Sequence, residues 1–254
     1  MTLQPSVSVV VPFFDSERHI AACVESLLAQ VDAGGPVEII FVNNGSTDGS
    51  PAIVERYREL IVLEERTPGS YAARNAGIRR ARAPVIALTD ADCVVGPDWL
   101  RSIRDGLQDP AVAIQVGQCW YPRTASLALR ALQAYENAKA QYVIARCAPA
   151  HHFAYANNMA VRASVFEQLG PFKEWQRAAD TELVHRLAAA RPDLRLAYRS
   201  SMIVTHLEFE RARDRLRRLS VYTRTNTQVG TFRELDLAQR LRVLGYLRRG
   251  RGAG

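Results

Sequence analysis

An α/β fold with a mostly parallel sheet flanked by helices is predicted from three observations. Short apolar runs alternate with stretches of helical periodicity through the first half of the chain. Polar clusters follow three of those runs, and open α/β sheets bind ligands outside the carboxyl ends of their strands. The 254 residues, 48% of them hydrophobic, suffice to bury a full core as one large domain with an elaborated end.

Val7 to Val11 is a short continuous apolar strand, after which Ile20, Cys23, Val24, Leu27, Leu28 and Val31 recur at helical spacing. Val37 to Val42 forms the second strand. Ser50-Pro51 reads as the N-cap and first residue of a helix with Ile53, Val54 and Tyr57 on one face. Ile61 to Leu63 is a third strand. A small-residue helix from Tyr71 to Arg82 precedes a strand beginning at Val85, and Pro97-Asp98-Trp99-Leu100 opens a helix carrying Ile103 and Leu107. This β-α-β-α order implies parallel neighbours joined by right-handed crossovers.

The net charge of +7 comes mainly from arginines that crowd toward the C-terminus. Such a balance suits nucleic acid, an anionic membrane face or an anionic substrate, and the total does not choose among them. No apolar run approaches the roughly 18 residues that cross a bilayer, and the N-terminal residues lack the succession of a signal peptide. A cytoplasmic protein is expected. Cys23, Cys93, Cys119 and Cys147 are widely spaced without a C-x-x-C pair, which points to structural free thiols.

The run Val85-Ile86-Ala87-Leu88-Thr89 ends directly in Asp90-Ala91-Asp92. At a fraying strand end both carboxylates can turn toward one site and hold a hard divalent cation against a diphosphate. Pro12-Phe13-Phe14-Asp15 with Glu17 follows the first strand, and Asn43-Asn44-Gly45-Ser46-Thr47-Asp48 follows the second. Each cluster also has a plain use: Asn-Gly makes turns, and Asp48 or Ser50 caps a helix. Three of them at successive strand ends favour a nucleotide site.

These stretches, with Gly69-Ser70-Tyr71-Ala72-Ala73-Arg74-Asn75-Ala76-Gly77, resemble in order and spacing the family 2 glycosyltransferases of GT-A (Rossmann-like) fold. The resemblance covers about the first hundred residues. It continues in Ala156-Asn157-Asn158-Met159-Ala160-Val161-Arg162, Gly170-Pro171-Phe172 and Ala179-Asp180-Thr181-Glu182-Leu183, which are similar to the acceptor half of such enzymes. It implies a donor site of Pro12, Asp15, Glu17, Asn44, Arg74, Asp90 and Ala91, with Asp92 on the metal and Asp180 as catalytic base. Asn157, Asn158 and Trp175 are assigned to the acceptor side. Two departures stand out. Asn43-Asn44 replaces a common aspartate pair while keeping hydrogen bonding to a base edge open, and Ala179 replaces an acidic neighbour of Asp180.

The implied reaction is transfer of a hexosyl group from a nucleotide diphosphate sugar to an acceptor hydroxyl, through an oxocarbenium-like transition state. A Mn2+ or Mg2+ ion on Asp92 would neutralise the leaving diphosphate, and Asp180 alone as base would make the transfer inverting. A UDP-sugar is the favoured donor, with GDP- and dTDP-sugars as alternatives, and the acceptor is a sugar or lipid-linked saccharide of polysaccharide or glycolipid synthesis. His206, after Ile203-Val204-Thr205, is weighed equally as metal ligand and as structural residue. His151-His152 point to opposite sides of an extended chain and are read as loop residues. Trp120, Tyr121, Tyr135, Tyr142, Phe153 and Tyr155 are read as core before sugar contacts.

The domain is expected to span 1–206, with a nucleotide-sugar half over 1–119 and an acceptor half over 120–206. An Arg-rich helical extension follows over 207–254, in which Arg211 to Arg249 offer peripheral contact with an anionic membrane face while Leu216, Leu219 and Val221 offer simple packing. Two other classes of function stay open. One is a nucleotide-sugar-binding protein without catalysis, suggested by Asn43 and Ala179; the other is a basic nucleic-acid-binding module, which lacks a recognisable reading motif, so no nucleic acid is expected.

Overall fold

The computed structural model describes residues 4–30, 34–208 and 238–243. Its eight strands are β1 (Val7–Phe13), β2 (Val37–Asn43), β3 (Ile61–Glu64), β4 (Val85–Thr89), β5 (Cys93–Val95), β6 (Val112–Trp120), β7 (Asn158–Arg162) and β8 (Arg195–His206). They form one sheet in the order β3-β2-β1-β4-β7-β6-β8-β5. Neighbouring pairs are parallel except at β7, which runs against both β4 and β6, and at β5, which runs against β8. The sheet is therefore mostly parallel, as expected, with two reversed strands that apolar periodicity does not reveal.

It is covered by the helices α1 (Ile20–Leu28), α2 (Ser50–Val54), α3 (Ser70–Arg80), α4 (Trp99–Gly106), α5 (Leu127–Arg146), α6 (Ala163–Leu169) and α7 (Ala179–Ala190). β1 is buried along its whole length because both its faces are covered, so it reads as a continuous apolar run. Alternation along it separates two cores. Val9 and Val11 pack with Ile20, Val24 and Leu27 of α1 and Trp99 and Ile103 of α4. Val10 faces Ala73 of α3 and belongs with Phe166 and Leu183 of α6 and α7. Helix α3 lies so close to the sheet that a Cβ on Gly77 would overlap the Val10 side chain.

Several boundaries shift. Helix α1 ends at Leu28, and Val31 lies outside the described residues. Ser50 is the first residue inside α2 and Gly49 is the N-cap, since the Ser50 hydroxyl is engaged by Asp48 and by the Ser16 amide. Helix α3 starts at Ser70 and stops at Arg80. The 20-residue α5 escaped periodicity because alanines and leucines are spread around its first turns without one apolar stripe. Residues 238–243 are helical, and Val243 is buried against Tyr142 and Val143 of α5. Arg211 to Arg218, Leu216, Leu219, Val221 and Leu244 to Arg249 lie outside the described residues, so the membrane reading of the extension is untouched. Among the described residues no helix is long and apolar enough to cross a membrane.

One residue fastens the second half of the sheet. Asn158, fully buried at the start of β7, accepts a hydrogen bond from Trp99 Nε1 at 2.8 Å and donates to the carbonyls of Gln118 (2.7 Å) and Met202 (2.9 Å). There the β6–β8 register jumps from Gly117↔Arg199 to Gln118↔Ile203, and a Cβ on Gly117 would strike the Met202 carbonyl. Asn158→Ala would strand one donor and two acceptors, each costing about 1–3 kcal/mol when buried. Urea denaturation should show a midpoint lowered by the equivalent of roughly 3 kcal/mol or more, with the slope unchanged.

Candidate active site

The loops after β1 and β2 are joined by their own polar side chains. Asp15 adopts the left-handed region (φ 44°), and its Oδ1 accepts the Thr47 amide at 2.8 Å. Glu17 Oε2 accepts the Gly49 amide at 3.1 Å, while the Glu17 amide donates to Asp48 Oδ2 at 2.9 Å. Both acids remain exposed at the sheet edge. Pro12 is buried within β1 opposite Val42, so it shapes the strand end and offers no exposed face.

Asn43 and Asn44 turn inward to the protein. Asn43 donates to Glu64 Oε1 and accepts from the Ser46 amide, both at 2.9 Å. Asn44 donates to the carbonyls of Glu65 and Thr67 and accepts the Gly69 amide, all at 2.8 Å. Both its donors are spent, so the base-edge reading of Asn44 is corrected: it is a strut between the β2 and β3 loops, with one Oδ1 lone pair remaining.

Deeper in, a charged chain links donor and acceptor candidates. Arg74, buried on α3, pairs with Asp90 at the end of β4 and lies 5.3 Å from the Tyr71 ring centre. The Tyr71 hydroxyl accepts the Asp180 amide at 3.4 Å and favours the ionised Asp180 side chain, and the Tyr71 ring packs on Phe172 at 5.4 Å. Asp180 lies in the first turn of α7 and is 8% exposed. Its two oxygens accept the amides of Ala156 (3.0 Å) and Thr181 (2.8 Å). Burial raises its carboxyl above the ordinary value, against the hydrogen bonds and Arg74. With two amide donors, one on each oxygen, the carboxylate keeps capacity for further hydrogen bonds.

Ala91, buried in the turn between the two aspartates, leaves Asp92 beside β5. Because Cys93 pairs with His206 across β5 and β8, His206 Nε2 comes within 3.6 Å of Asp92 Oδ2. Cys93 Sγ belongs to the same cluster, with ligand atoms within 4.8 Å of one another. Burial, then Asp92 and Asp90, hold the Cys93 thiol well above its usual range, and its Sγ donates to Asp92 Oδ1 at 3.6 Å. The harder donors of the set are one carboxylate oxygen of Asp92 and one imidazole nitrogen of His206, with the softer Cys93 sulfur beside them. All four cysteines are free thiols.

On the other side, Asn158 belongs to the sheet interior, which corrects its assignment to the acceptor surface. Asn157 is half-buried, its Nδ2 is 3.8 Å from Cys119 Sγ and its Oδ1 is buried without a partner. Trp175, 37% exposed, lies on the loop before α7. His151 ends a 3-10 turn, and His152 binds the Cys147 carbonyl at 3.1 Å. A groove of about 600 Å³ opens between Trp120 and Tyr121, the first turns of α5, and Thr205.

A family model for glycosyl transferase family 2 matches residues 8–170. The chain belongs to this family. It is 29% identical over 175 residues to glycosyltransferase AglE of Haloferax volcanii, covering 66% of this chain and 56% of that protein. The chain thus spans about half the length of this curated relative. The fold is that of two solved GT-A structures. The mannosyltransferase PcManGT from Pyrobaculum calidifontis, in complex with GDP-Man and Mn2+, matches with TM-score 0.65 and 21% identity, over 100% of this chain and 77% of that one. The glucosyl-3-phosphoglycerate synthase from Mycobacterium tuberculosis, with Mn2+, UDP and phosphoglyceric acid, matches with TM-score 0.63 and 18% identity, over 92% and 80%.

In this family 2 glycosyltransferase, reasoning from sequence missed two positioning residues of α3. Tyr71 holds Asp180, and Asn75 clamps Phe172 by donating to its carbonyl (2.9 Å) and accepting its amide (3.0 Å). Their spacing around Arg74 was the available signal. Tyr71→Phe removes a hydrogen bond that favours the ionised Asp180, so the Asp180 carboxyl should titrate still higher; carboxyl-carbon NMR titration would show it, with a stability loss of about 1 kcal/mol.

Proposed function

We propose that the chain transfers a hexosyl group from a nucleotide diphosphate sugar to an acceptor hydroxyl, with inversion at the anomeric carbon and with help from a divalent cation. The observation that carries this reading is the continuous Asp90–Arg74–Tyr71–Asp180 chain, which joins a strand-end acidic motif to a buried, proton-accepting carboxylate. Asp15 and Glu17 would line the nucleoside side, and Asp90, fixed by Arg74, would face the ribose or donor sugar.

Asp92 and His206 fit a cation that keeps open positions for diphosphate oxygens and water. One nitrogen ligand favours Mn2+ over Mg2+, which takes oxygen ligands and dehydrates reluctantly. When bound, such an ion supplies positive charge to the leaving diphosphate. Asp180 accepts the proton of the acceptor hydroxyl as the new bond to the anomeric carbon forms and the bond to the diphosphate breaks. Its raised carboxyl value makes it a better base than an exposed aspartate. The inactive-protein alternative rests on Asn43 and Ala179, yet Asn43 is tied to Glu64 and Ser46, and Ala179 is fully buried and leaves Asp180 in reach of its partners. Asn43 and Asn44 select no base, so a UDP-sugar is favoured over GDP- and dTDP-sugars by the resemblance alone. Peripheral contact with an anionic membrane face through the C-terminal arginines belongs to the same proposal.

Asp180→Asn should retain nucleoside diphosphate binding and lower donor hydrolysis or transfer by about 10²- to 10⁴-fold. In the wild type, kcat/KM should fall on the acid side with an inflection above the ordinary aspartate range, because protonation removes the base. Wild-type turnover in Asp180→Asn would move the base elsewhere.

Asp92→Ala should abolish the Mn2+-dependent part of nucleoside diphosphate binding in calorimetric titration, and His206→Ala should weaken it. Metal-dependent affinity unchanged in Asp92→Ala would exclude the proposed cation site.

A further inference from the structure

The groove at the end of β6 combines features that point to one kind of occupant. Its floor is Trp120, Tyr121, Leu127 and Ala131, and its charged members are Arg123 and Arg130. Both arginines are exposed, and among the described residues neither is paired with a carboxylate. Some arginines of this protein are paired, as Arg186 is with Glu182, Arg191 with Asp193 and Arg195 with Asp109, whereas Arg56, Arg58, Arg66 and Arg80 are exposed on other surfaces; what sets Arg123 and Arg130 apart is that both border one apolar cleft. Two unpaired guanidinium groups on an apolar cleft suit a phosphate, which accepts forked hydrogen bonds. The apolar lining also continues outward, since Leu127 is 79% exposed and Ala128 beside it is exposed. A neutral saccharide would leave the arginines unmatched. A water-soluble sugar phosphate would leave Leu127 unmatched.

We propose that this groove binds a lipid phosphate, with the phosphate on Arg123 and Arg130 and the hydrocarbon chain running over Trp120 and out past Leu127. The lining includes Thr205, which pairs with Trp120 across β6 and β8 and immediately precedes His206. The groove therefore meets β8 one residue before the proposed metal ligand His206, and the role of its occupant as the lipid-linked acceptor rests on the glycosyl-transfer reading. The binding itself rests on the groove alone. A concave cleft with a charged rim suits a single amphiphile more than a flat bilayer face.

Dodecyl phosphate below its micellar concentration is the probe, compared in calorimetric titration with glycerol 3-phosphate and with neutral dodecyl maltoside. Dodecyl phosphate should bind at least about tenfold more tightly than either, because only it offers both the anion and the chain. Arg123→Gln with Arg130→Gln should remove about tenfold or more of that affinity, and Leu127→Ser should weaken dodecyl phosphate while leaving glycerol 3-phosphate unchanged. Both are surface changes, and nucleoside diphosphate binding should persist in each. Equal affinity for dodecyl phosphate and maltoside, equal affinity for dodecyl phosphate and glycerol 3-phosphate, or wild-type affinity in the double variant would overturn the proposal. Loss is separable: dodecyl phosphate binding without any nucleotide binding would support the groove and sink the glycosyl-transfer reading, and the reverse would sink the groove alone.

Discussion

The architecture depends on fitting one reversed strand into an otherwise parallel sheet. β7 separates β4, which ends in the acidic pair, from β6, which ends in the groove, and Asn158 makes that insertion rigid. Its carboxamide uses one acceptor and both donors, tying α4, β6 and β8 at one buried point. Without the bulge it holds, β8 would emerge in another register, and a one-residue slip reverses which side chains face a given surface. His206 would then not stand opposite Cys93 beside Asp92. A polar residue at the centre of the core thus sets the position of a polar residue at its edge.

A second constraint is electrostatic. Arg74 and Asp180 are both buried, and neither could be retained alone, because an unpaired buried charge costs several kcal/mol. Arg74 is held by Asp90 and by the face of Tyr71, while Asp180 is held by two backbone amides and the Tyr71 hydroxyl. The sign of the remaining cost is fixed by the shift. Burial raises the folded carboxyl value of Asp180 above its unfolded one, so its favourable contribution is complete only below the unfolded value and is lost as pH rises through the folded one. At neutral pH the ionised group opposes folding. The ionisable Asp180 is thus kept at some expense of stability, and Asn75, which clamps the Phe172 turn under Tyr71, helps to offset it.

Much of the first half of the chain was legible in the sequence because it obeys local rules. Buried parallel strands are apolar throughout, their polar ends are abrupt, and Gly77 marks a close helix–sheet approach. Side-chain roles were less legible. Asn44 was open to a ligand on chemical grounds, and only the positions of Glu65, Thr67 and Gly69 reveal that its hydrogen bonds are spent. Asn157 and Asn158 are adjacent and of one type, but alternation along an extended chain sends one into the sheet and leaves the other half-buried. The strand reversal at β7 leaves no periodic trace, because parallel and antiparallel buried strands share one apolar pattern.

The two halves differ in how their surfaces are fixed. The proposed donor side is built from loops whose side chains are committed to one another, Asp15 to Thr47, Glu17 to Gly49 and Asn44 to three backbone groups, so its shape follows from short-range contacts between motif residues. The groove is made by one long helix laid against a strand end, and its exposed residues Arg123, Leu127 and Arg130 are tied to no such network. Substitution there changes what is bound without disturbing what holds the sheet together. If the proposed roles hold, selectivity at the groove can vary while the loops after β1 and β2 stay constant, and the fold alone does not specify it.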